Sequence, residues 1–455
     1  MPTFRYRTRI EAPAKTVFDW HAQPGALERL TPPWQTVEIV ERTGGIQSGA
    51  RVVLLLHLGP LRQRWVAEHR DYIEGCQFRD VQIEGPFARW EHTHRIEPDG
   101  PTACYLEDHI EYALPLAPIS NCVAGEFVRG ELERLFRYRH HVTAHDIAVH
   151  AHSQGGSPMH IMVTGASGLI GAALVPFLTG GGHQVTRAVR SQPKTDEVHW
   201  NPDVGVIESA KLEDLDAVVH LAGENIADGR WTPEKKARIR DSRVNGTRLV
   251  SQTLAALERK PRVLVCASAI GFYGDRGADV LTEASPAGSG FLADVCKEWE
   301  AATEPAAQAG IRVVNARIGI VFTPRGGALQ KMLLPFKLGL GGVIGHGRQY
   351  WSWISIDDVI GAIHHLITNE QLSGPVNLVA PRAVTNAEFT KTLGRVLSRP
   401  TIFPMPAFAA QLAFGEMADA LLLASARVEP ARLLESGYQF RHPDLEGALR
   451  HLLGA

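Results

Sequence analysis

The chain has 455 residues, 21% of them charged, and a formal net charge of -2 at pH 7. This length exceeds one ordinary hydrophobic core and predicts at least two domains. The near-neutral balance gives no support for nucleic acid or an anionic membrane as a partner, so a small molecule is the expected ligand.

The composition of particular stretches predicts a cytoplasmic protein. Five scattered cysteines without C-x-x-C spacing favour reduced thiols over disulfides or a zinc site; they are Cys76, Cys104, Cys122, Cys266 and Cys296. The opening "MPTFRYRTRIEAP" lacks the apolar core of a signal peptide. The apolar stretch 407–426 contains Glu416 and Asp419, which predicts a packed helix and no membrane partner.

Residues 1–153 are predicted to form one α+β domain. Short alternating runs between residues 3 and 114 are separated by turn residues at the spacing of an antiparallel meander. Helical patterns cover residues 14–30 and about 120–147. The segment "QGGSPMH" (154–160) punctuates the chain and predicts the domain boundary.

This first region resembles the START-like ligand-binding and polyketide-cyclase superfamily, whose fold is a helix-grip. The opening "IEAPAKTVFDW" (10–20), the meander and the long final helix carry the resemblance. The resemblance implies an apolar cavity and a hydrophobic ligand. The alternative is that side chains fill the cavity and the domain serves as a docking module.

A histidine-rich stretch ends this domain, at His140, His141, His145, His150 and His152. His141 and His145 are four apart on a helix, a spacing that metal sites use. No carboxylate or cysteine is placed to complete a tetrahedral set, although Asp146 is adjacent. We therefore expect a solvated helix end and no metal site.

Residues 160–191 are predicted to form a β-α-β unit that binds a dinucleotide. An apolar strand leads into glycines at 165, 168 and 171, a helix and a second strand. Residues without Cβ let the backbone approach a pyrophosphate, and the helix N-terminus offers N–H groups to the phosphates. A purely structural glycine turn is the alternative.

The end of the second strand predicts the choice of cofactor. "TRAVRS" carries Arg187, Arg190 and Ser191 and no acid that would hydrogen-bond the ribose of NAD. A guanidinium suits a 2′-phosphate, so NADP(H) is favoured over NAD(H). The alternative is that the arginines only face solvent.

The ordered motifs after residue 160 resemble the extended and atypical short-chain dehydrogenase/reductase superfamily. They are the glycine turn, "VVHLAGENI", "CASAIGFYGD" (266–275), "ARIGIVF" (316–322) and "WSWISIDDVIGAI" (351–363). The segments "RWTPEKKARIRDSRVNGT" (230–247) and "FLADVCKEWE" (291–300) are similar to the NAD-dependent epimerase/dehydratase-like branch with its C-terminal domain of unknown function. Fused members of this branch have been labelled cell-division inhibitors, an activity these residues do not support.

The resemblance implies catalytic roles, with one departure. Ser268 matches the residue that positions the substrate oxygen, and Lys297 matches the lysine that holds the nicotinamide ribose. Ala293 stands where active members carry the proton-transferring tyrosine four residues before the lysine. Tyr273 is the nearest replacement along the sequence.

The prediction is a two-domain protein: the helix-grip domain of residues 1–153, then an α/β Rossmann fold with a parallel sheet over 160–455, including a small C-terminal substrate region from about 375. The expected function is that of an NADP(H)-dependent oxidoreductase or epimerase. The alternative is a non-catalytic NADP(H) sensor. A homodimer is among the expected assemblies. The residues expected to line the cofactor are Gly165, Ser167, Gly168, Leu169, Ile170, Gly171, Arg187, Arg190, Ser191, Leu221, Ala222, Gly223 and Lys297.

Overall fold

The computed structural model describes residues 2–59, 61–115, 119–152 and 157–455. The described chain divides into two compact units: the first holds the residues up to His152 with Pro176–Gly182 and Gly454, and the second holds the rest. Residues 154–156 of the predicted linker and the side chains of Cys122 and His152 lie outside what is described. Cys76, Cys104, Cys266 and Cys296 are free thiols.

The first unit is an antiparallel sheet with three helices, as the alternating runs predict. The strands are β1 (Thr3–Ile10), β2 (Thr36–Thr43), β3 (Arg51–Leu58), β4 (Leu61–Ile73), β5 (Gln77–Glu84), β6 (Arg89–Pro98) and β7 (Cys104–Ala113). The helices are α1 (Ala14–Ala22), α2 (Ala26–Leu30) and the long α3 (Ile119–His152). The strand order is β1-β7-β6-β5-β4-β3-β2, so consecutive strands from β2 to β7 are neighbours.

Two apolar clusters lie in the described part of the first unit. One gathers residues such as Phe18, Ile96 and Leu106, and the other contains Trp90 and Phe136. Between them, the inner face of the sheet carries histidines and aspartates, which alternation of apolar and polar residues does not predict.

The second unit contains a mainly parallel eight-stranded sheet. Its strands are β8 (His160–Thr164), β9 (Gln184–Val189), β10 (Glu197–Asn201), β11 (Val206–Ile207), β12 (Ala217–His220), β13 (Val263–Ala269), β15 (Arg312–Ile318) and β19 (Gly374–Leu378). The order β11-β10-β9-β8-β12-β13-β15-β19 reverses direction beside β8. Only the β10–β11 pair in this sheet is antiparallel. The carboxyl ends of β8 and β12 therefore border a topological switch point, where such sheets bind ligands.

Short strands and helices complete this unit. The strands are β14 (Val280–Leu281), β16 (Ile320–Phe322), β17 (Tyr350–Trp351), β18 (Trp353–Ser355), β20 (Val384–Thr385) and β21 (Arg427–Val428). The helices are α4 (Gly171–Gly180), α5 (Pro233–Ala256), α6 (Phe291–Ala301), α7 (Glu304–Gln308), α8 (Gly327–Lys337), α9 (Ile356–Thr368), α10 (Asn386–Val396), α11 (Ala407–Phe414), α12 (Ala431–Glu435) and α13 (Leu445–Leu453). Short 3-10 turns lie at Ser209–Lys211 and Ile270–Tyr273, and a π turn at Ala418–Leu423.

The apolar stretch 407–426 departs from the predicted single packed helix. It folds as α11 followed by the separate π turn, with Gly415 at φ 61° between them. Phe408 and Leu412 are 70% and 75% exposed. Glycine in a left-handed conformation ends α11 and breaks the apolar periodicity that suggested one helix. Among the described residues, no helix is long and apolar enough to cross a membrane.

Candidate cofactor and active site

The turn from β8 into α4 leaves no room for side chains at two of its glycines. Gly165 has φ 66°, and a Cβ there would lie 2.9 Å from the backbone nitrogen of Ala222. A Cβ on Gly171 would lie 2.2 Å from the carbonyl oxygen of Gly165 and 2.7 Å from Cα of Ala166. Both glycines are therefore required for the turn and for the close packing of α4 on the strands.

Gly168, between them, is different. A Cβ on it would meet only the carbonyl oxygen of Gly165, at 3.2 Å, among the described residues. The Gly168 N–H donates to that same oxygen at 2.9 Å, and its own carbonyl accepts from Ala172. A methyl group on Gly168 would be tight against that one oxygen, whereas the rest of the space beside Gly168 is open to a ligand that approaches the N-terminus of α4.

Thr164, at the end of β8, fixes the neighbouring loop of β12. Its Oγ1 accepts hydrogen bonds from the backbone N–H groups of Leu221 (3.2 Å) and Ala222 (3.3 Å). The same oxygen lies 2.7 Å from Nδ1 of His220. Burial lowers the pKa of His220 to about 4, so this histidine is a neutral packed residue. Sequence reasoning missed Thr164, because a threonine at a strand end has no distinctive signal.

Arg243 holds the far side of this loop. Its Nη1 donates to the backbone carbonyls of Glu224 and Ile239, both at 3.0 Å. The guanidinium carbon lies 5.0 Å from the centre of the Trp299 ring, and a Cβ on Gly223 would lie 3.3 Å from it. Arg243 therefore has a structural role: its contacts stabilise the loop of residues 221–224.

The two arginines after the glycine turn lie at different positions along β9: Arg187 is within the strand, and Arg190 follows its carboxyl end. β9 pairs with β8 so that Arg187 is level with Val163 and Ala188 with Thr164. Arg190 and Ser191 follow β9 at the edge where β8 leads into the glycine turn. Arg187 and Arg190 are both exposed, and neither has a carboxylate partner among the residues the structure describes. Arg190 is therefore the better placed of the two to meet a ligand at the edge.

Ser268 is part of a buried network with a charged pair. Its hydroxyl donates to Glu300 Oε1 at 2.7 Å, and Ser268 is 3% exposed. Arg317 holds the same carboxylate with two hydrogen bonds of 2.8 Å, one to each oxygen. Such a bidentate pair fixes both side chains and orients the serine hydroxyl. The network joins β13, β15 and α6, and neither Glu300 nor Arg317 was predicted, because their contact depends on strand register.

Tyr273 extends this network away from solvent. Its hydroxyl donates to Asn377 Oδ1 at 2.7 Å and accepts from Arg317 Nη1 at 3.0 Å. The residue is fully buried, and burial raises the pKa of its hydroxyl despite the contact with Arg317. The geometry gives Tyr273 a structural role and provides no support for its use as the proton donor.

The α6 helix bears the motif that departs from the usual pattern. Ala293 occupies the tyrosine position and is 1% exposed. Its methyl group provides no hydroxyl for proton transfer. Lys297 is 47% exposed, and its Nζ lies 2.7 Å from Asp294 Oδ1 one turn earlier. An ion pair this exposed is weak and leaves the ammonium able to exchange partners when a ligand binds.

A serine caps the start of α9, and an aspartate in the first turn of that helix accepts hydrogen bonds from the C-terminal segment. Ser355 is the N-cap of α9, and its hydroxyl oxygen accepts from the N–H of Asp358. Asp358 accepts backbone N–H bonds from Arg441 (2.7 Å) and His442 (3.1 Å). Trp351 and Trp353 are buried in the core around α10 and α13, as packing predicts. These residues fasten the C-terminal segment and do not line a site.

The family follows from this fold and from comparison with known proteins. Residues 161–379 match the NAD dependent epimerase/dehydratase family, residues 405–452 match a domain of unknown function (DUF1731), and residues 10–136 match the polyketide cyclase/dehydrase and lipid transport family. The chain belongs to the NAD dependent epimerase/dehydratase family, with a polyketide-cyclase-like region before it. Both predicted resemblances and the two-domain fold are thereby confirmed.

Particular relatives place the chain more closely. It is 46% identical over 290 residues to an epimerase family protein of Mycobacterium bovis, which covers 64% of this chain and 96% of the relative. It is 35% identical over 298 residues to the human epimerase family protein SDR39U1, covering 65% of this chain and all of the human protein.

Two solved structures are similar. A nucleoside-diphosphate sugar epimerase from Corynebacterium glutamicum superimposes with a TM-score of 0.82 at 33% identity, covering 99% of this chain and 90% of the other. The structure of human SDR39U1 (isoform 2) with NADPH has a TM-score of 0.61 at 35% identity, covering 65% of this chain and 99% of the human chain.

The glycine turn yields a test that separates packing from ligand contact. Gly168→Ala should fold with an unchanged melting temperature and weaken NADPH binding by about tenfold or more, because its methyl group enters ligand space. Gly171→Ala should instead lower the free energy of unfolding by about 1–3 kcal/mol, because its Cβ meets backbone atoms. Thermal unfolding and cofactor fluorescence titration measure the two effects. Equal behaviour of the two variants would refute the distinction.

Proposed function

We propose that the second unit is an NADP(H)-dependent oxidoreductase or epimerase whose cofactor lies across the carboxyl ends of β8, β9 and β12. The glycine turn carries this proposal: Gly165 and Gly171 have no room for Cβ, while a Cβ on Gly168 would meet one carbonyl oxygen, at 3.2 Å, and the space around it is otherwise open. A turn constrained only by packing would not need an open glycine at that position. The family membership of residues 161–379 supports a nicotinamide cofactor.

The preference for NADP(H) rests on charge at the end of β9. Arg190 and Ser191 follow β9 at the edge that holds the glycine turn, and no carboxylate is present in "TRAVRS" to accept a ribose hydroxyl. The exposed guanidinium of Arg190 can bind a 2′-phosphate in a bidentate manner. The human relative was solved with NADPH, which agrees with this preference.

The chemistry we propose uses Ser268 and Lys297. A bound nicotinamide supplies or accepts the hydride. Ser268 donates its only proton to Glu300, so its oxygen is left as an acceptor and suits a substrate hydroxyl better than a carbonyl. Lys297 can exchange Asp294 for the ribose of the cofactor.

The substrate we propose is a nucleoside-diphosphate sugar or a related hydroxyl compound. The name of the Corynebacterium structure supports this class, and that protein matches this chain over 99% of its length. For the first unit we propose a hydrophobic ligand, which the polyketide cyclase and lipid transport description of residues 10–136 supports.

A matched pair of arginine variants tests the cofactor proposal. Arg190→Ala should weaken NADPH binding about 10- to 100-fold, the value of a lost charge-assisted hydrogen bond, and leave NADH binding unchanged. Arg187→Ala is the control, because register places Arg187 below the edge, and its effect should be smaller. Titration of nicotinamide fluorescence measures both. A wild-type protein that binds NADH as tightly as NADPH would contradict the assignment.

A second function is a non-catalytic NADP(H) sensor. Specific observations favour it: Ala293 removes the usual proton donor, and the hydroxyl of Tyr273 is buried between Asn377 and Arg317. A sensor would bind NADPH tightly and leave it unoxidised against a panel of nucleoside-diphosphate sugars and carbonyl compounds. Turnover of any of them would favour the enzyme.

Two variants separate catalytic from structural hydroxyls once a substrate turns over. Ser268→Ala should abolish most turnover while NADPH affinity is retained. Tyr273→Phe should lower the free energy of unfolding by about 1–3 kcal/mol, because it leaves Asn377 and Arg317 unpaired, and should change turnover by less than about threefold. A Tyr273→Phe protein of normal stability without turnover would restore Tyr273 as the proton donor.

A further inference from the structure

A row of histidines and aspartates crosses the inner face of the sheet in the first unit. Cross-strand pairing sets His69 opposite Asp80, Asp80 opposite His92, and His94 opposite Asp108. Residues directly opposite each other project to the same face, and His92 and His94 do so because they are two apart on β6. Five polar side chains from four strands therefore meet in one place.

This polar row lies inside the core. On β6, Trp90 and Ile96 flank the two histidines and belong to separate apolar clusters. Phe78 stacks on His94 with ring centres 4.2 Å apart. Ionisable groups buried in this way must be compensated by partners or by a bound ion.

Three of these side chains converge at metal-ligand spacing. Oδ2 of Asp80 lies 3.3 Å from Nε2 of His94 and 3.6 Å from Nδ1 of His92. In a tetrahedral site with bonds of about 2.0–2.1 Å, neighbouring ligand atoms are separated by roughly 3.3–3.5 Å. The contact with His92 is too long for a hydrogen bond, whereas both distances suit ligands of a shared ion.

The opposite ring nitrogens of both histidines face a second carboxylate. Oδ1 of Asp108 lies 2.6 Å from Nε2 of His92 and 2.7 Å from Nδ1 of His94. His140, from α3, contacts the other oxygen of Asp108 through its Nε2. Histidines that bind a metal through one nitrogen usually have a carboxylate on the other, which fixes the tautomer and the ring orientation. Asp108 has the position of that outer carboxylate.

Several buried polar atoms in the cluster have no hydrogen bond to any residue that the structure describes. They include Oδ1 of Asp80, Nδ1 of His69 and Nδ1 of His94. The first two atoms are only 2.6 Å apart, and the third lies 2.7 Å from Asp108, but neither contact has hydrogen-bond geometry. Hydrogen bonds within the cluster therefore do not satisfy all of its polar atoms. The guanidinium of Arg139 interacts with both carboxylates and offsets part of their charge, and a divalent cation would offset the rest.

We infer that Asp80, His92 and His94 bind a divalent transition-metal ion of the zinc class, with Asp108 as the outer carboxylate for both histidines. Nitrogen and oxygen ligands suit such ions. Three protein ligands leave a coordination position for water or an oxygen atom of a ligand. The side chains of His69 and Asp80 are 14% and 22% exposed, which gives the ion a route from solvent.

The alternative occupant of this cluster is a proton. Burial alone would lower the pKa of His94, but Asp108 and Asp80 raise it to about 9, whereas burial lowers the pKa of His92 to about 4. A protonated His94 between two carboxylates would then hold the cluster without a metal. Direct metal binding distinguishes the two states.

The test uses the full chain, stripped with a chelator and titrated with Co²⁺ and then with Zn²⁺. We expect one equivalent to bind tightly, with visible Co²⁺ absorption of a tetrahedral site that Zn²⁺ bleaches. Asp80→Asn and His94→Gln should lose this absorption, and Asp108→Asn should weaken affinity about 10- to 100-fold. His109→Gln is the matched control, since His109 adjoins Asp108 on β7 but projects to the opposite face, and it should bind normally.

The proposal is overturned if the wild-type chain takes up no tight equivalent, which leaves the proton as occupant. It is also overturned if Asp80→Asn and His94→Gln retain the wild-type affinity, because other histidines would then be responsible. If these variants do not fold, X-ray absorption of the wild-type zinc complex decides. A shell of nitrogen and oxygen with imidazole scattering from two histidines supports the site, and sulfur ligands or a shell of water alone contradict it.

Discussion

The second unit depends on a steric constraint at the point where β8 ends. The carbonyl oxygen of Gly165 lies where a Cβ of Gly171 would be, and the loop after β12 passes where a Cβ of Gly165 would be. Only a turn without these two Cβ atoms brings the N-terminus of α4 and the end of β12 to the same edge of the sheet. Arg190, directly after β9, lies at this same edge because β9 is parallel to β8.

In the second unit, buried charge is kept where hydrogen bonds engage it fully. Glu300 and Arg317 form a bidentate pair, and Ser268 and Tyr273 bind to it. Such a network fixes side chains firmly, because breaking one member would leave a buried charge without a partner. The hydroxyl of Tyr273 is therefore occupied, and a proton donor for hydride chemistry must come from the substrate, from water or from another side chain. In the first unit, Asp108 lies within 2.7 Å of ring nitrogens of three histidines, and the contact with His94 lacks hydrogen-bond geometry.

Local signals in the sequence were sufficient for the family and the fold. The glycine spacing predicted the turn correctly because the steric constraint joins Gly165 and Gly171, which lie within seven residues. The antiparallel meander could be predicted from the alternation of apolar and polar residues along each strand. The roles of Tyr273 and Glu300 could not be predicted, because their contacts join β13, α6, β15 and β19. The cluster of Asp80, His92 and His94 was missed for the same reason: strand pairing, and not sequence proximity, brings its members together. The prediction of one packed helix over 407–426 was wrong, because it relied on hydrophobicity and did not take Gly415 as a helix end.

We propose that the glycine turn and the end of β9 hold the phosphates of NADP(H). Hydrogen–deuterium exchange of the full chain, with and without saturating NADPH, probes both segments in one experiment. NADPH should slow exchange in peptides covering residues 165–172 and 189–191, and saturating NADH should slow it in the first peptide more than in the second. If NADPH binds and leaves both peptides unprotected, the cofactor lies elsewhere and the proposed site is wrong.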